Sequence, residues 1–153
     1  MNVQKVFIRP LLIAAVVFAL NGSDPFPAQR GLQETSIDVC GVPLTVELAM
    51  SARQWAVGLG HRTRPEKGRG MLFVFDRIRP LAFTSSNTYF PISVAFINSD
   101  SVIQEVLYLA NKRRGPERVL PVYQYRLALE VPYGWFKKNG ITIGCPVSGI
   151  ETL

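Results

Sequence analysis

Histidine is nearly absent from this chain, and cysteine and methionine are scarce: one, two and three of 153 residues. One histidine and two cysteines at no recognised zinc spacing leave no metal motif. There is no G-x-S-x-G turn, and nothing in the sequence sets a serine against His61, so a serine hydrolase is not written here. Phosphate-binding glycine loops, repeats and low-complexity tracts are also missing, and no cofactor is implied. No apolar run reaches the ~20 residues that a spanning helix needs. The run from Leu11 to Leu20 is ten long.

That short run is informative for what precedes and follows it. Lys5 and Arg9 make a basic start, LLIAAVVFAL is unbroken apolar sequence, and Asn21-Gly22-Ser23-Asp24-Pro25 ends it. This is the order of a secretory signal. Residues 1–22 are therefore expected to direct export to a periplasmic or extracellular, oxidising location. An uncleaved anchor is the alternative, because no good cleavage site is written: Ala19 suits minus-three but leaves Asn21 at minus-one. As an anchor, the segment would have to bury Arg9 or let it snorkel. Membrane contact follows only in that case. Residues 23–34, rich in Gly, Pro, Ser and Gln, read as a linker. Residues 35–153 read as one β-rich domain.

Basic residues outnumber acidic ones, 17 to 11, and they cluster. Arg62, Arg64, Lys67 and Arg69 form one group, and Lys112, Arg113, Arg114 and Arg118 another. Both lie in loop-like sequence, where solvated charge is the plain reading. A surface for acidic polymers or anionic lipid head groups is the sharper one. An exported chain without a nucleic-acid motif is not expected to bind nucleic acid.

Short alternating runs dominate the rest. Thr35 to Cys40 and Leu44 to Ala49 flank Gly41-Val42-Pro43 as a hairpin. Ser51-Ala52-Arg53-Gln54 fits a capping box opening a short helix that stops near Gly58 and Gly60. Met71 to Phe75 is apolar throughout and reads as a strand covered on both faces. Leu81 to Thr84 is a weaker strand. Ile92 to Ile97 and Val102 to Leu109 form a hairpin across Asn98-Ser99-Asp100-Ser101. Tyr125 to Val131 is a strand, Tyr133 to Asn139 a short helix, and Ile141 to Val147 a closing strand. The expected fold is mainly β, a compact antiparallel sandwich or barrel-like domain with one or two short helices. Cys40 and Cys145 permit one disulfide in an oxidising compartment. Two buried thiols are the other reading.

Four polar residues beside apolar segments are candidates for ligand binding. Arg62 offers a guanidinium fork suited to carboxylate or phosphate, and otherwise serves as a clamp on Glu130. Asn87 and Thr88 offer an amide and a hydroxyl, or a turn that satisfies its own backbone. Glu130 alternates against Leu129 and Val131. If buried, it needs a cationic partner or a raised pKa.

These segments resemble the bacterial domain-of-unknown-function family 192. Its pattern G-L-M-x-R meets Gly58, Leu59 and Arg62. G-M-L-F-x-F meets Gly70, Met71, Leu72, Phe73 and Phe75. M-K-N-T-x-x-P-L-D meets Asn87, Thr88 and Pro91, and L-E-x-x-x-G meets Leu129, Glu130 and Gly134. The departures are Gly60 for methionine, Ser85 and Ser86 for Met-Lys, and Ser93 for aspartate. Any family activity using that lysine and aspartate has lost both groups here. The resemblance implies a mainly β, exported protein and brings no activity.

The reading that follows is an exported, non-enzymatic binding module for an anionic small molecule or polymer, with glycans and lipid head groups among the partners considered. A small hydrolase or transferase using Glu130 or His61 as acid or base is the rival. A structural protein with no ligand is the third possibility.

Overall fold

The protein is described here by a computed structural model covering residues 27–111 and 117–153. The expected signal at 1–22 and the basic residues Lys112 to Arg114 lie outside the described residues.

The chain order is β1 (Glu34–Val39), β2 (Val42–Ala49), α1 (Ala52–Val57), β3 (Arg69–Arg79), β4 (Phe83–Thr84), β5 (Ile92–Ile97), β6 (Ile103–Leu109), β7 (Arg118–Val119), β8 (Tyr125–Pro132), α2 (Trp135–Lys138) and β9 (Val147–Ser148). Seven strands form one curled sheet in the order β6-β5-β8-β3-β2-β1-β9, and β4 pairs with β7 beside it. Every pairing is antiparallel except β2 with β3, which α1 connects as a crossover. The fold is mainly β with two small helices, as expected, and the barrel-like form is a curled half-barrel whose one parallel pairing departs from the antiparallel expectation.

Alternation along the central strands sorts their side chains onto two faces. Leu72, Val74, Leu129, Val131, Ala95 and Ile97 join the inner core with residues of β1 and β2. Met71, Phe73, Phe75, Ala128, Val94 and Phe96 join a second core on the other face, roofed by Leu59, Leu81, Phe83 and Phe90. This second cover is why Met71 to Phe75 carries no polar residue.

The remaining differences from expectation are local. The serine of the capping box accepts from Gln54 N–H at 3.4 Å, but Gln54 returns its bond to Met50 N–H, at 2.7 Å, rather than to the serine. The expected strand at 81–84 shortens to β4 and that at 141–147 to β9, because residues 140–146 turn to meet two strands at once. Cys40 and Cys145 are joined, with Cα atoms 5.3 Å apart. The stretch read as a linker also contributes to packing. Leu32 lies against the second core, Gln33 C=O accepts Leu48 N–H, and Glu34 opens β1.

Candidate functional site

The register of the sheet places two glutamates in one row. Glu47 lies opposite Met71, Met71 opposite Glu130, and Glu130 opposite Val94. Adjacent strands lie ~4.8 Å apart, so the two glutamates stand roughly 10 Å apart across Met71. They share the face that carries the second core, and both are buried. The turn after α1 covers them.

That turn is shaped for close approach. Gly58 has φ 52°, and a Cβ there would meet Glu130 Oε2 and Phe73 Cζ, each at 3.1 Å. A side chain would be strained twice, by the backbone and by the contact. With glycine there, Leu59 N–H donates to Glu130 Oε2 at 3.2 Å. Gln29 secures the same turn. Its amide donates to Gln54 O at 3.1 Å, which also accepts the Gly58 N–H, and to Gly58 O at 2.9 Å, so it ties down the end of the helix.

Arg62 follows and turns inward. Its Nη1 lies 2.6 Å from Glu47 Oε2 and 3.6 Å from Glu66 Oε1, and its Nη2 donates to Gln29 O at 3.0 Å. Glu66 also meets Arg69 at 3.7 Å, and Arg69 forms a forked pair with Glu34. The result is a ladder of alternating charge running from the surface into the interior: Glu34, Arg69, Glu66, Arg62, Glu47. Arg64 and Lys67 of the same basic group are exposed, as solvated loop charge would be.

Burial pushes the Glu130 carboxyl up to about 7, against the opposing pull of the Leu59 N–H and the Arg62 guanidinium. Glu130 therefore combines both expectations for a buried acid, a raised pKa and a nearby cation. The direct partner of Arg62 is Glu47, which sequence reasoning missed. Glu47 alternates as an outward residue of β2, and only the tertiary cover from the 57–62 turn buries it.

Asn87 and Thr88 come to the same place through their backbone. Asn87 C=O accepts His61 N–H at 2.7 Å, and Thr88 N–H donates to Ser85 C=O at 3.0 Å. The Ser85 hydroxyl is itself used, accepting Glu117 N–H at 3.0 Å. The structure thus gathers Arg62, Asn87 and Glu130 around one turn, with Thr88 buried just behind. Arg62 Nε is buried without a hydrogen-bond partner. The adjoining void, lined by Glu47, Arg62, Glu66 and Arg69, measures about 10 Å³. That is the space of a single water.

A much larger cleft, about 580 Å³, opens elsewhere, between the 97–104 hairpin, residues 123–127 leading into β8 and residues 150–153. Its polar lining includes Gln104, Gln124, Arg126 and Glu151, and its apolar lining Ile78, Leu127 and Ile150. Arg126 uses one N–H, donated from Nη1 to Leu153 O at 2.8 Å. Among the described residues, no group of three or more metal-ligating side chains occurs.

The model of DUF192, described as an uncharacterized ACR, matches residues 35–149. The chain belongs to the DUF192 family. No curated protein matches it significantly. Among solved structures, a Sinorhizobium meliloti protein described as a proposed transcription regulator is 26% identical, with TM-score 0.71, over 79% of this chain and 97% of that one. A Novosphingobium aromaticivorans protein of unknown function is 23% identical, with TM-score 0.70, over 86% and 94%. The second likeness concerns the fold alone. The segments on which the sequence resemblance rests fall on the features just described: Gly58, Leu59 and Arg62 on the turn, Gly70 to Phe75 on β3, and Leu129 and Glu130 on β8.

Proposed function

We propose that this DUF192 protein is an exported, non-enzymatic binding module whose ligand is a small organic anion held in the 580 Å³ cleft at Arg126. The carrying observation is the free capacity of that arginine. A guanidinium has about five N–H donors, and Arg126 gives one to the protein. Gln104 and Gln124 add side-chain amides at the same cleft. A cavity of this size, part apolar with a few converging polar groups, suits a ligand of small-metabolite size. Export is supported by the N-terminal basic and apolar order and by the Cys40–Cys145 bond. The description of the Sinorhizobium neighbour belongs to that protein, and a chain that leaves the cytoplasm meets no promoter.

The Arg62 cluster is weaker as the anion site, although Arg62, Asn87, Thr88 and Glu130 were the residues the sequence singled out. Arg62 is already answered by Glu47 and Glu66, and the neighbouring void is of water size. With three carboxylates against two guanidiniums in the ladder, an incoming anion meets net negative charge. We read this cluster as an internal buttress.

The second reading is acid–base catalysis by Glu130, favoured by its carboxyl at about 7. It requires access, and Gly58 and Leu59 lie over that carboxylate.

The test is an NMR titration of the isotope-labelled protein with citrate and with inorganic phosphate. Shifts centred on Gln104, Gln124 and Arg126, lost in Arg126→Gln, are expected. Shifts centred on residues 57–70 would return the site to Arg62, and no shifts with either anion would count against the module.

A further inference from the structure

The wall that residues 150–153 give the large cleft is a tight turn with one firm end. Gly149 makes the bend before it, with φ 82°, and a Cβ there would meet Ser36 O at 3.0 Å, so the chain passes close against β1. Ile150 is buried in the inner core. Beyond it Glu151 and Thr152 are exposed, and the Glu151 carboxylate accepts the Gly149 N–H at 3.1 Å, within the same bend. Leu153 N–H donates back to Ile150 O at 3.2 Å.

Leu153 is what this turn delivers to the cleft. Its side chain is half-buried against the inner core, and three members of that core, Ile97, Leu127 and Ile150, line the cleft. Its main-chain oxygen accepts a hydrogen bond from Arg126 Nη1 at 2.8 Å. The protein thus fills part of its own cleft with two groups, a branched apolar side chain on an apolar floor and an oxygen on a guanidinium. That oxygen takes one N–H of the arginine fork, and a ligand carboxylate would take two in parallel.

The rest of the lining narrows the ligand further. Among the described residues that line the cleft, Arg126 is the one cation and Glu151 the one anion. One guanidinium answers one carboxylate, and a second or third acid group on the ligand would meet Glu151 instead of a counter-charge. Gln104 and Gln124 each carry both a donor and an acceptor, the complement of an amide rather than of another charge. About 580 Å³ stays open with Leu153 in place, which is room for a ligand of small-metabolite size.

We propose that the ligand of this cleft is an N-acylated amino acid with a branched apolar side chain, held by its single carboxylate, and that the 150–153 turn is a built-in stand-in which the ligand displaces from Arg126. This rests on the reading of the cleft as the anion site. The carboxylate pairs with Arg126, the alkyl group takes the place of the Leu153 side chain on Ile97 and Leu127, and the acyl amide meets Gln104 and Gln124. Ile150 keeps its place in the core, so the movement is confined to residues 151–153.

The test titrates the isotope-labelled full chain with N-acetyl-L-leucine, N-acetylglycine and citrate. N-acetyl-L-leucine should shift the signals of Gln104, Gln124 and Arg126 and move those of Leu153. Its Kd should lie about tenfold or more below that of N-acetylglycine, the gain from burying its side chain. N-acetyl-L-leucinamide, which lacks the acid, should lose this binding. Leu153→Gly weakens the stand-in and should tighten binding of N-acetyl-L-leucine by about threefold or more. Equal affinity for N-acetyl-L-leucine and N-acetylglycine, or tighter binding of citrate at Arg126, would overturn the proposed ligand and leave the anion site standing. Binding that leaves the Leu153 signals unmoved and is indifferent to Leu153→Gly would overturn the displacement. No shifts with any of the three acids would remove both this inference and the anion site on which it rests.

Discussion

Arg62 gives its one charge to two carboxylates, and the burden of losing it falls on Glu47. Glu66 is half in solvent and can turn to water, whereas Glu47 is buried beneath the 57–62 turn. Arg62→Ala would leave that carboxylate without its cation, which costs about 3 to 5 kcal/mol for a buried pair broken on one side. Urea unfolding should show the midpoint falling with an unchanged slope. A loss below about 1 kcal/mol would mean that the pair behaves as a surface ion pair. Glu130 responds to pH in the opposite sense from a salt-bridged acid. Its folded pKa, about 7, lies above the ordinary 4.5, so between these values the folded chain holds a proton that the unfolded chain releases. Stability from this group is full below pH 4.5, falls as pH rises through 7, and is lost above it. Glu130→Gln keeps an oxygen for the Leu59 N–H and removes the ionisation. The variant should lack this decline and gain roughly 3 kcal/mol over the parent at pH 8. Thermal melts of both proteins from pH 5 to 8 measure it, and parallel curves would place Glu130 in water.

Elements whose pattern is local were legible in the sequence, and those set by distant partners were not. The β5–β6 hairpin carries its own turn chemistry: Asn98 Oδ1 accepts the N–H groups of Asp100 and Val102, both at 3.0 Å. Helix α1 carries its N-cap at Ser51, and β3 carries an apolar run that demands cover on both faces. The parallel pairing of β2 with β3 had no such signal, and it is this pairing that sets Glu47 level with Met71. The buried role of Gln29 was equally hidden, because a glutamine in a Pro- and Gly-rich stretch looks the same whether or not a helix end lies nearby. In the sequence Glu105 is one polar residue of a hairpin strand with nothing beside it to mark a special role. In the fold it holds a loop 17 and 18 residues away in sequence. Burial pushes its carboxyl up, but the bonds from Tyr125, Val122 and Tyr123 together outweigh this and hold it below the ordinary value. Glu105→Ala removes the acceptor for all three, leaving the buried Tyr125 hydroxyl unsatisfied, at a cost of about 2 to 4 kcal/mol. Hydrogen exchange should accelerate at Val122 and Tyr123 in particular. Unchanged exchange there would show that the loop is held by other contacts.

For the molecule as a whole, the last ten residues before Ile150 decide whether the curled sheet has a closed seam. β9 pairs with β1, through Asp38 with Ser148 and Val39 with Val147. The residues just before it reach the far edge: Ile103 N–H donates to Cys145 O at 2.9 Å, Gly144 N–H to Ile103 O at 2.8 Å, and Val147 N–H to Ser101 O at 2.8 Å. One segment thereby joins both edge strands, covering backbone that would otherwise invite pairing with other chains. Cys40 sits on this seam, its N–H donating to Pro146 O at 3.0 Å and its sulfur joined to Cys145. The bond closes a loop with a sequence separation of 105. A chain-entropy estimate values a loop of that length at about 4 to 5 kcal/mol. One two-residue strand and four backbone bonds are a weak fastening without it, so the segment from 141 to 150 should be the first to open when both cysteines become serine. The expected result for that variant is a stability loss of this size, with exchange rising most at 141–150 and at the start of β6. Equal stability with and without the bond would mean that the seam is held by packing of Ile141, Val147 and Ile150 into the inner core. The same bond tests where the chain works. Protein recovered from an exporting host, unfolded without reductant, should yield no free thiol. Two free thiols in that material would place its maturation in a reducing compartment and remove one of the two supports for export.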